Sequence, residues 1–301
     1  MKFDRSVFSQ QIIQAYFEKD LSQIEKLYSD FSKISDNQTL YFISEEEFQR
    51  VLKNPKKVKE ALGHIINEIY FRFQFLFFTN LFKFLKHIES LIYSWNSNNY
   101  LGWVLFGRSV IELCAVFNHF DVKLKKYDPI RTNYSVDEIQ KIEDILIEYS
   151  HGTRFDWDSL IKGDFEKLKK EFTAKGELKQ AINVLTAIDK LTKLRPAFYE
   201  LRSVYNILSD YAHPNMGSHC IFIDLPDEVI EPMPNRLSLN VNQSRGEFII
   251  VSSLKQITIC LSWIGHLLQE TSRIIAAWEG YTESKTFTVR FPDTMGILKL
   301  K

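Results

Sequence analysis

Apolar residues recur at helical spacing along most of the chain, and this periodicity predicts a protein built almost entirely of α-helices. Amphipathic repeats cover residues 5–33 and a long stretch from about 54 to 95, which the polar segment NSNN ends. The next element, LGWVLFGRSVIELCAVFNHF, is apolar around nearly its whole circumference, which is typical of a helix buried on all sides. We therefore expect it to be the central helix of the fold.

Capping signals and spacing place the helices that follow. Ser135 with Glu138 forms a capping-box pattern, which predicts a helix from there to about Tyr149. Two further helices are expected over roughly 164–174 and 177–193. They lead to a helix that starts near Pro196 and must stop at His213, because the residue before a proline is disfavoured in the α conformation.

The pattern changes between residues 218 and 252, where β-branched or alternating runs, prolines and the turn-like QSRG predict an irregular excursion with room for one β-hairpin. A long amphipathic helix follows from Leu254, and KTFTVRFP predicts a short strand. The fold class is therefore all-α, an antiparallel helical bundle with a small hairpin-like excursion. We divide it into an N-terminal helical extension (1–60), a helical core (61–217), and the excursion with the C-terminal helix (218–301).

The composition limits the classes of function. The 301-residue chain has 45% hydrophobic residues, enough for a substantial core, and its 38 basic and 38 acidic residues cancel. No overall field therefore attracts it to nucleic acids or anionic membranes, and any nucleic-acid surface must be local. Three separated cysteines in apolar contexts fit reduced thiols in a cytoplasm, and no Cys/His spacing suggests zinc.

Targeting and membrane signals are weak in the sequence. The stretch MKFDRSVFSQ lacks the apolar run of a signal peptide. The apolar segment 65–85 is interrupted by Glu68, Arg72 and Lys83, so we expect a core helix there, because a membrane span needs about 20 consecutive apolar residues. These observations predict a cytoplasmic protein that does not enter a membrane.

The helix that ends at His213 carries a band of polar side chains unlike an ordinary solvent face. Lys and Glu usually dominate such a face, whereas this band carries groups that form directed hydrogen bonds. At about 100° per residue its members fall within an arc of roughly 80°: Arg195, Tyr199, Arg202, Asn206, Ser209 and His213. Tyr205, from the apolar stripe beside the band, joins the candidate binding residues. The band either holds two helices together or binds a ligand.

The central helix carries a second polar group on an otherwise apolar surface. Arg108 and Glu112 are four residues apart and can pair with each other. Burying such a pair is costly unless further hydrogen bonds complete it, so we expect its partner to be the polar band. The pair either fixes the packing of two core helices or orients His213 or a ligand.

His213 is the candidate catalytic group, acting with Arg108 and Glu112. At the end of a helix the backbone carbonyls favour a protonated imidazole, which suits a general acid or a phosphate-binding cation, although such a histidine is more often a cap. Asn215 follows it as a candidate binding residue. His151 and Arg154 belong to a loop that could close over a site, or whose aromatic residues only anchor it to the core.

The segment GRSVIEL on the buried helix and the later YNILSDYAHPN together resemble bacterial all-helical proteins of the HEPN-like kind. Their pattern is Arg-Ser-x-x-Glu on one helix and Tyr-x-x-Leu-Ser-x-x-x-His-Pro on another, and the resemblance covers roughly residues 60 to 215. It implies an antiparallel helical bundle. Within the wider HEPN group, many members are metal-independent ribonucleases of toxin and antiphage systems, often dimeric, and others are inactive binding modules.

Two functions are therefore expected. The first is a non-catalytic or weakly catalytic HEPN-like module, a sensor or partner-binding protein in bacterial stress or phage defence. The second is a metal-independent endoribonuclease that uses His213. HEPN ribonucleases carry an Arg and a His one to two turns apart on one helix, whereas Arg202 lies about 16 Å from His213 along the axis, which favours the first function. We expect no cofactor and no metal, and an RNA, a protein or a second copy of the chain as partner.

Overall fold

The computed structural model describes residues 1–34, 46, 50, 58–151, 182–214, 216–224, 238–283, 288–290 and 297–299. The protein is an all-α helical bundle, which confirms the predicted fold class. Its main helices are α1 (Glu18–Phe31), α2 (Val58–Asn96), α3 (Tyr100–Lys125), α4 (Val136–His151), α5 (Val184–Leu194), α6 (Leu201–Ala212) and α7 (Gln243–Glu283).

Short elements connect and flank these helices. They are a 3₁₀ turn at Arg5–Val7, a helical turn at Gln10–Ile12 that continues into a π-helix at Ile13–Phe17, a 3₁₀ turn at Pro196–Phe198 and a four-residue helix at Met216–His219. The strands are β1 (Asn133–Ser135), β2 (Ile223–Asp224), β3 (Ser238–Leu239), β4 (Thr288–Arg290) and β5 (Ile297–Lys299). Strand β4 pairs in parallel with β1 and antiparallel with β5, and β2 pairs antiparallel with β3, so the predicted hairpin-like pairing is present.

The backbone contacts divide the chain into two compact units, each assembled from three stretches. Unit 1 comprises Met1–Asp36, Asn80–His119 and Val184–Leu267. Unit 2 comprises Asn37–Thr79, Phe120–Asn183 and Leu268–Lys301. Helices α2, α3 and α7 each contribute residues to both units. The sequence predicts three consecutive segments, whereas each of these units combines stretches that are far apart in the chain. The three segments stay a prediction.

In unit 1, a tight turn joins α2 to α3 as an antiparallel pair. Asn98 adopts a left-handed conformation (φ 52°), which asparagine tolerates better than most residues, and the Asn99 side chain accepts a hydrogen bond from the backbone N–H of Gly102 at 2.9 Å. The indole rings of Trp95 and Trp103 then pack with centroids 5.9 Å apart. The polar segment predicted to end the second helix therefore also starts the third.

Helix α7 lies close beside α3 in unit 1 and runs in the same direction. A Cβ atom at Gly246 would fall 2.2 Å from the ring of Tyr100, and one at Gly107 would fall 2.7 Å from the side chain of Ile257. The added atom would overlap an aromatic ring at Gly246, whereas at Gly107 it would meet the tip of a flexible side chain, so the close approach of the helices favours glycine most strongly at Gly246. Gly107 immediately precedes Arg108, so this close approach lies next to the candidate site.

Unit 2 is organised around Trp278. Its indole N–H donates to the carbonyl oxygen of Pro129 at 2.8 Å, and its ring packs against Phe73 and Tyr134 with centroids 5.6 and 5.9 Å away. Helix α4 begins with the predicted capping box, in which Ser135 and Glu138 cap each other's backbone N–H groups at 2.8 and 3.2 Å.

Three helices begin elsewhere than predicted, and a fourth predicted helix lies outside the described residues. Helix α5, expected from residue 177, begins at Val184. Helix α7 begins at Gln243, so the segment interpreted as a turn and short strand is helical; Asn242 caps it by accepting from the N–H of Arg245 at 2.9 Å. Helix α6 begins at Leu201 because the prolyl segment before it forms a 3₁₀ turn, although its end at His213 is as predicted. The helix expected over 164–174 lies outside the described residues.

Two helices are long and apolar enough to cross a membrane by length and composition, in the spans Tyr100–Lys125 and Gln243–Glu279. Of the apolar window in each, 56% and 61% is buried inside the protein. Core helices of soluble proteins have the same properties, so these spans are weak evidence of membrane association. Both spans are identified among the residues that the structure describes.

Candidate functional site

Helix α3 presents an ion pair on the edge of its buried surface in unit 1. The Nε atom of Arg108 donates to Oε1 of Glu112 at 3.0 Å, and the two side chains are 29% and 32% exposed. The pair is therefore neither fully buried nor freely solvated. Its spacing of one helical turn is the arrangement that the sequence predicted.

Tyr205 on helix α6 completes this pair. Its hydroxyl donates to the same oxygen, Oε1 of Glu112, at 2.9 Å, and the guanidinium carbon of Arg108 lies 5.4 Å from the centre of the Tyr205 ring. Tyr205 itself is only 6% exposed. We call these three residues the Arg108 cluster, in which one carboxylate oxygen accepts from two donors while the cation lies within range of an aromatic ring.

The environment stabilises the neutral tyrosine and the charged arginine. Burial, followed by the hydrogen bond to Glu112 and then the negative charge of that carboxylate, raises the pKa of Tyr205 above its usual value. Burial acts to lower the pKa of Arg108, but the hydrogen bonds with Glu112 and Tyr205 outweigh it and raise that pKa. At neutral pH the Arg108 cluster therefore holds an ion pair that a tyrosine hydroxyl caps, and Tyr205 is no proton acceptor there.

One residue near this cluster, His87, was not among the predicted site residues. His87 on α2 lies with its ring centre 6.4 Å from that of Phe106 on α3. Burial lowers the pKa of His87, Lys83 lowers it further, and Glu112 partly offsets both effects. His87 is therefore a neutral imidazole at pH 7. Because residues equally distant from the turn between antiparallel α2 and α3 lie opposite each other, the hairpin register was the signal that could have placed His87 near this part of α3.

The polar band of α6 has a different environment. Asn206 and His213 are exposed, and Arg202 pairs with Asp189 on helix α5 at 2.9 Å in an exposed ion pair. The hydroxyl oxygen of Ser209 is buried and has no hydrogen-bond partner within the described residues. The sequence predicted that the polar band would supply the hydrogen-bond partner of the Arg108–Glu112 pair. In the structure Tyr205 supplies it, a residue that the sequence pattern placed in the apolar stripe beside the band.

His213 ends helix α6 without joining the Arg108 cluster. Its backbone N–H donates to the carbonyl oxygen of Ser209 at 3.1 Å. The backbone of His213 itself is extended, directly after the last helical turn. Within the part of the chain that the structure describes, its imidazole forms no hydrogen bond or ion pair. Tyr205 and His213 are separated by about two helical turns, or about 12 Å along the axis.

The remaining candidate residues lie apart from the Arg108 cluster or outside the described residues. Arg195 lies before α6 rather than on it, because the helix starts later than predicted, and its guanidinium carbon lies 3.7 Å from the centre of the Trp263 ring. His151 is the last residue of α4, and nothing is described of its side chain. Arg154 and Asn215 lie outside the described residues.

The fold and the site define an all-α helical bundle with a partly buried Arg–Glu–Tyr cluster between two of its helices. No family model, no curated protein and no solved structure matches the chain. Among the described residues, no group of three or more His, Cys, Asp or Glu side chains is arranged to hold a metal ion.

Proposed function

We propose that the protein is a non-catalytic HEPN-like helical module, a sensor or partner-binding protein in bacterial stress or phage defence. The observation that carries this proposal is that Glu112 accepts hydrogen bonds from both Arg108 and Tyr205, whereas His213 lies exposed at the end of α6. Cleavage of a phosphodiester needs a general acid or base and a cation on the same phosphate. Here the cation is engaged in a cluster that does not include the histidine.

The charge favours a protein partner over RNA. The chain has no net charge, and RNA binding draws much of its affinity from phosphate contacts with basic side chains. Helix α7 instead exposes Phe248 and Val251, one turn apart, with exposed fractions of 50% and 53%. Exposed apolar side chains of this size are suited to contact with another protein surface, including a second copy of the chain.

The first experiment is an RNA integrity assay in EDTA with total RNA and tRNA. Wild type and His213→Ala are incubated side by side, with a known metal-independent ribonuclease as positive control. We expect intact RNA with both proteins. Cleavage by wild type and not by the variant would overturn the proposal and support the alternative, a metal-independent endoribonuclease that uses His213.

A second experiment measures self-association. Light scattering over a concentration series gives the mass of the wild type and of a double variant, Phe248→Ser with Val251→Ser. The matched control is Leu105→Ser, at another exposed apolar residue (45%). A homodimer that dissociates only in the double variant identifies a second copy as the partner. A monomer at every concentration directs the search to a different protein.

A further inference from the structure

One arginine of unit 1 departs from the pattern that the other partly buried arginines follow. Within the described residues, five partly buried arginines each pair with a carboxylate: Arg5, Arg72, Arg108, Arg131 and Arg202. Arg195 is partly buried as well, but its side chain forms no ion pair or hydrogen bond with any described residue. Because a charge that is partly removed from water normally has a partner, its five N–H donors are open to a group from outside the chain.

The backbone of Arg195 is held on both sides where helix α5 passes into the 3₁₀ turn. Its N–H donates to the carbonyl oxygen of Leu191 at 3.2 Å, and its own carbonyl oxygen accepts from the N–H of Phe198 at 3.1 Å. Leu191 and Phe198 are 0% and 2% exposed, so both anchors belong to the core. The arginine side chain therefore extends from a fixed point.

The indole ring of Trp263 on helix α7 positions the guanidinium. The guanidinium carbon of Arg195 lies 3.7 Å from the ring centre, within the range of a cation–π contact. The ring is itself fixed, because its N–H donates to Oδ1 of Asn118 on α3 at 3.0 Å, and Asn118 is 2% exposed. This contact holds the cation in place without using a carboxylate, so its charge is not neutralised.

A second donor lies against the same ring. His266 follows Trp263 by about one turn of α7, its ring centre lies 4.7 Å from that of Trp263, and its side chain is exposed. Within the part of the chain that the structure describes, His266 forms no ion pair. The charge of Arg195 is thus accessible and uncompensated, whereas in the Arg108 cluster Glu112 balances the arginine.

We propose that Arg195 and His266 bind a phosphate group beside Trp263, either as inorganic phosphate or as part of a small phosphomonoester. The planar guanidinium donates two parallel N–H groups to two phosphate oxygens, and the imidazole donates to a third. A carboxylate has only two oxygens, which the guanidinium occupies, so phosphate matches this pair of donors better. The site is separate from the Arg108 cluster and does not depend on the function proposed above.

The test is an NMR titration of the full chain, observed through the indole N–H signals of its five tryptophans. Trp263→Phe assigns the signal of Trp263. Sodium phosphate and methyl phosphate are the probes, and sodium acetate and sodium chloride at equal ionic strength are the controls. We expect a saturable shift of the Trp263 signal with both phosphate compounds and a weaker response to acetate. Tighter binding of methyl phosphate would identify a monoester as the ligand, and tighter binding of phosphate the free ion; both results support the site.

Variants at two arginines separate a specific site from general attraction of anions. Arg195→Gln should weaken phosphate binding at least about tenfold, and Arg195→Lys, which keeps the charge but loses the planar fork, about threefold. Arg202→Gln makes the same change at an arginine that already pairs with Asp189, so it should leave the affinity unaltered.

Several outcomes would overturn the proposal. Equal shifts with chloride or acetate would indicate a salt effect, and an unchanged affinity in Arg195→Gln would exclude the arginine. Absence of any saturable shift would remove the site altogether. If Arg195→Gln alters the fold, His266→Ala replaces it, because His266 is exposed; it should weaken binding about threefold, and an unaltered affinity would contradict the proposed pair of donors.

Discussion

The Arg108 cluster and the polar band of α6 differ in how they use polar side chains of similar chemistry. In the Arg108 cluster, a tyrosine that is 6% exposed donates to a carboxylate, which in turn holds an arginine. In the polar band, Asn206 and His213 face solvent and Arg202 forms an exposed ion pair with Asp189. The cost of desolvation favours hydrogen-bond partners for groups near the core, as in the Arg108 cluster, whereas exposed groups need none. The buried hydroxyl of Ser209, which has no partner within the described residues, departs from this rule.

The largest expected effect comes from removing the buried member of the Arg108 cluster. Tyr205→Ala should lower the free energy of unfolding by about 3 to 4 kcal/mol, because it leaves a cavity between α3 and α6 and removes the donor to Glu112. Tyr205→Phe should cost about 1 kcal/mol, since only the hydroxyl is lost. Denaturant unfolding measures both. Tyr199→Ala, at a tyrosine that is 66% exposed, is the control and should change stability by less than about 0.5 kcal/mol. Equal losses at the two tyrosines would remove the distinction between cluster and band.

Loss of the shared acceptor should have the next largest effect. Glu112→Ala leaves the Arg108 guanidinium and the Tyr205 hydroxyl without their common partner, and should cost about 1 to 2 kcal/mol after allowance for partial exposure. Asp189→Ala removes the acceptor of the exposed Arg202 pair and should cost about 0.5 kcal/mol or less. A double-mutant cycle of Arg108→Ala and Glu112→Ala measures the coupling. If Asp189→Ala lowers the free energy of unfolding as much as Glu112→Ala does, the exposed Arg202–Asp189 pair contributes as much to stability as the Arg108 cluster.

Alkaline pH should remove the contribution of the Tyr205 hydroxyl. Burial, then Glu112, raises the pKa of Tyr205 above the ordinary value of 10.0, so the folded state favours its neutral form. This stability is present below pH 10 and is lost as the pH rises through the higher pKa of the folded state. The stability difference between wild type and Tyr205→Phe, about 1 kcal/mol at neutral pH, should therefore shrink above about pH 10. A difference that stays constant to pH 12 would show that the hydroxyl contributes no ionisation-linked stability.

The smallest effect is expected at the end of α6. His213→Ala removes an exposed imidazole that has no side-chain partner within the described residues, so its free energy of unfolding should stay within about 0.5 kcal/mol of wild type. Denaturant unfolding at neutral pH measures it. A loss of about 2 kcal/mol would instead indicate that His213 belongs to a structural network and would erase the contrast with Tyr205.

Much of the local structure could be predicted from the sequence because its causes lie within a few residues. The capping box of Ser135 and Glu138, the end of α6 at His213, and the pairing of Arg108 with Glu112 are all present as expected. Each depends on backbone groups or side chains at most four positions apart. Helical periodicity likewise predicted the all-α fold, because it records which face of each helix must be buried.

The start of α7 shows where local signals fail. QSRG followed by β-branched residues has the composition of a turn and strand, yet the structure continues the helix back to Gln243. Gly246 packs against Tyr100 there, and Ile249 and Ile250 are buried. Burial against α3 outweighs the weak preference of these residues for strands, and such burial is a tertiary property.

The sequence by itself determined the helices, most of their ends and the ion pair of α3, since these follow from spacing and from the chemistry of neighbouring residues. Only the tertiary structure decided which side chain completes that pair, that His87 lies near it, and that His213 does not join it. Helical periodicity assigns a face to each residue but does not specify which helix that face meets. Helical periodicity therefore groups Tyr205 with apolar neighbours, although its hydroxyl supplies a hydrogen bond to the partly buried carboxylate of Glu112.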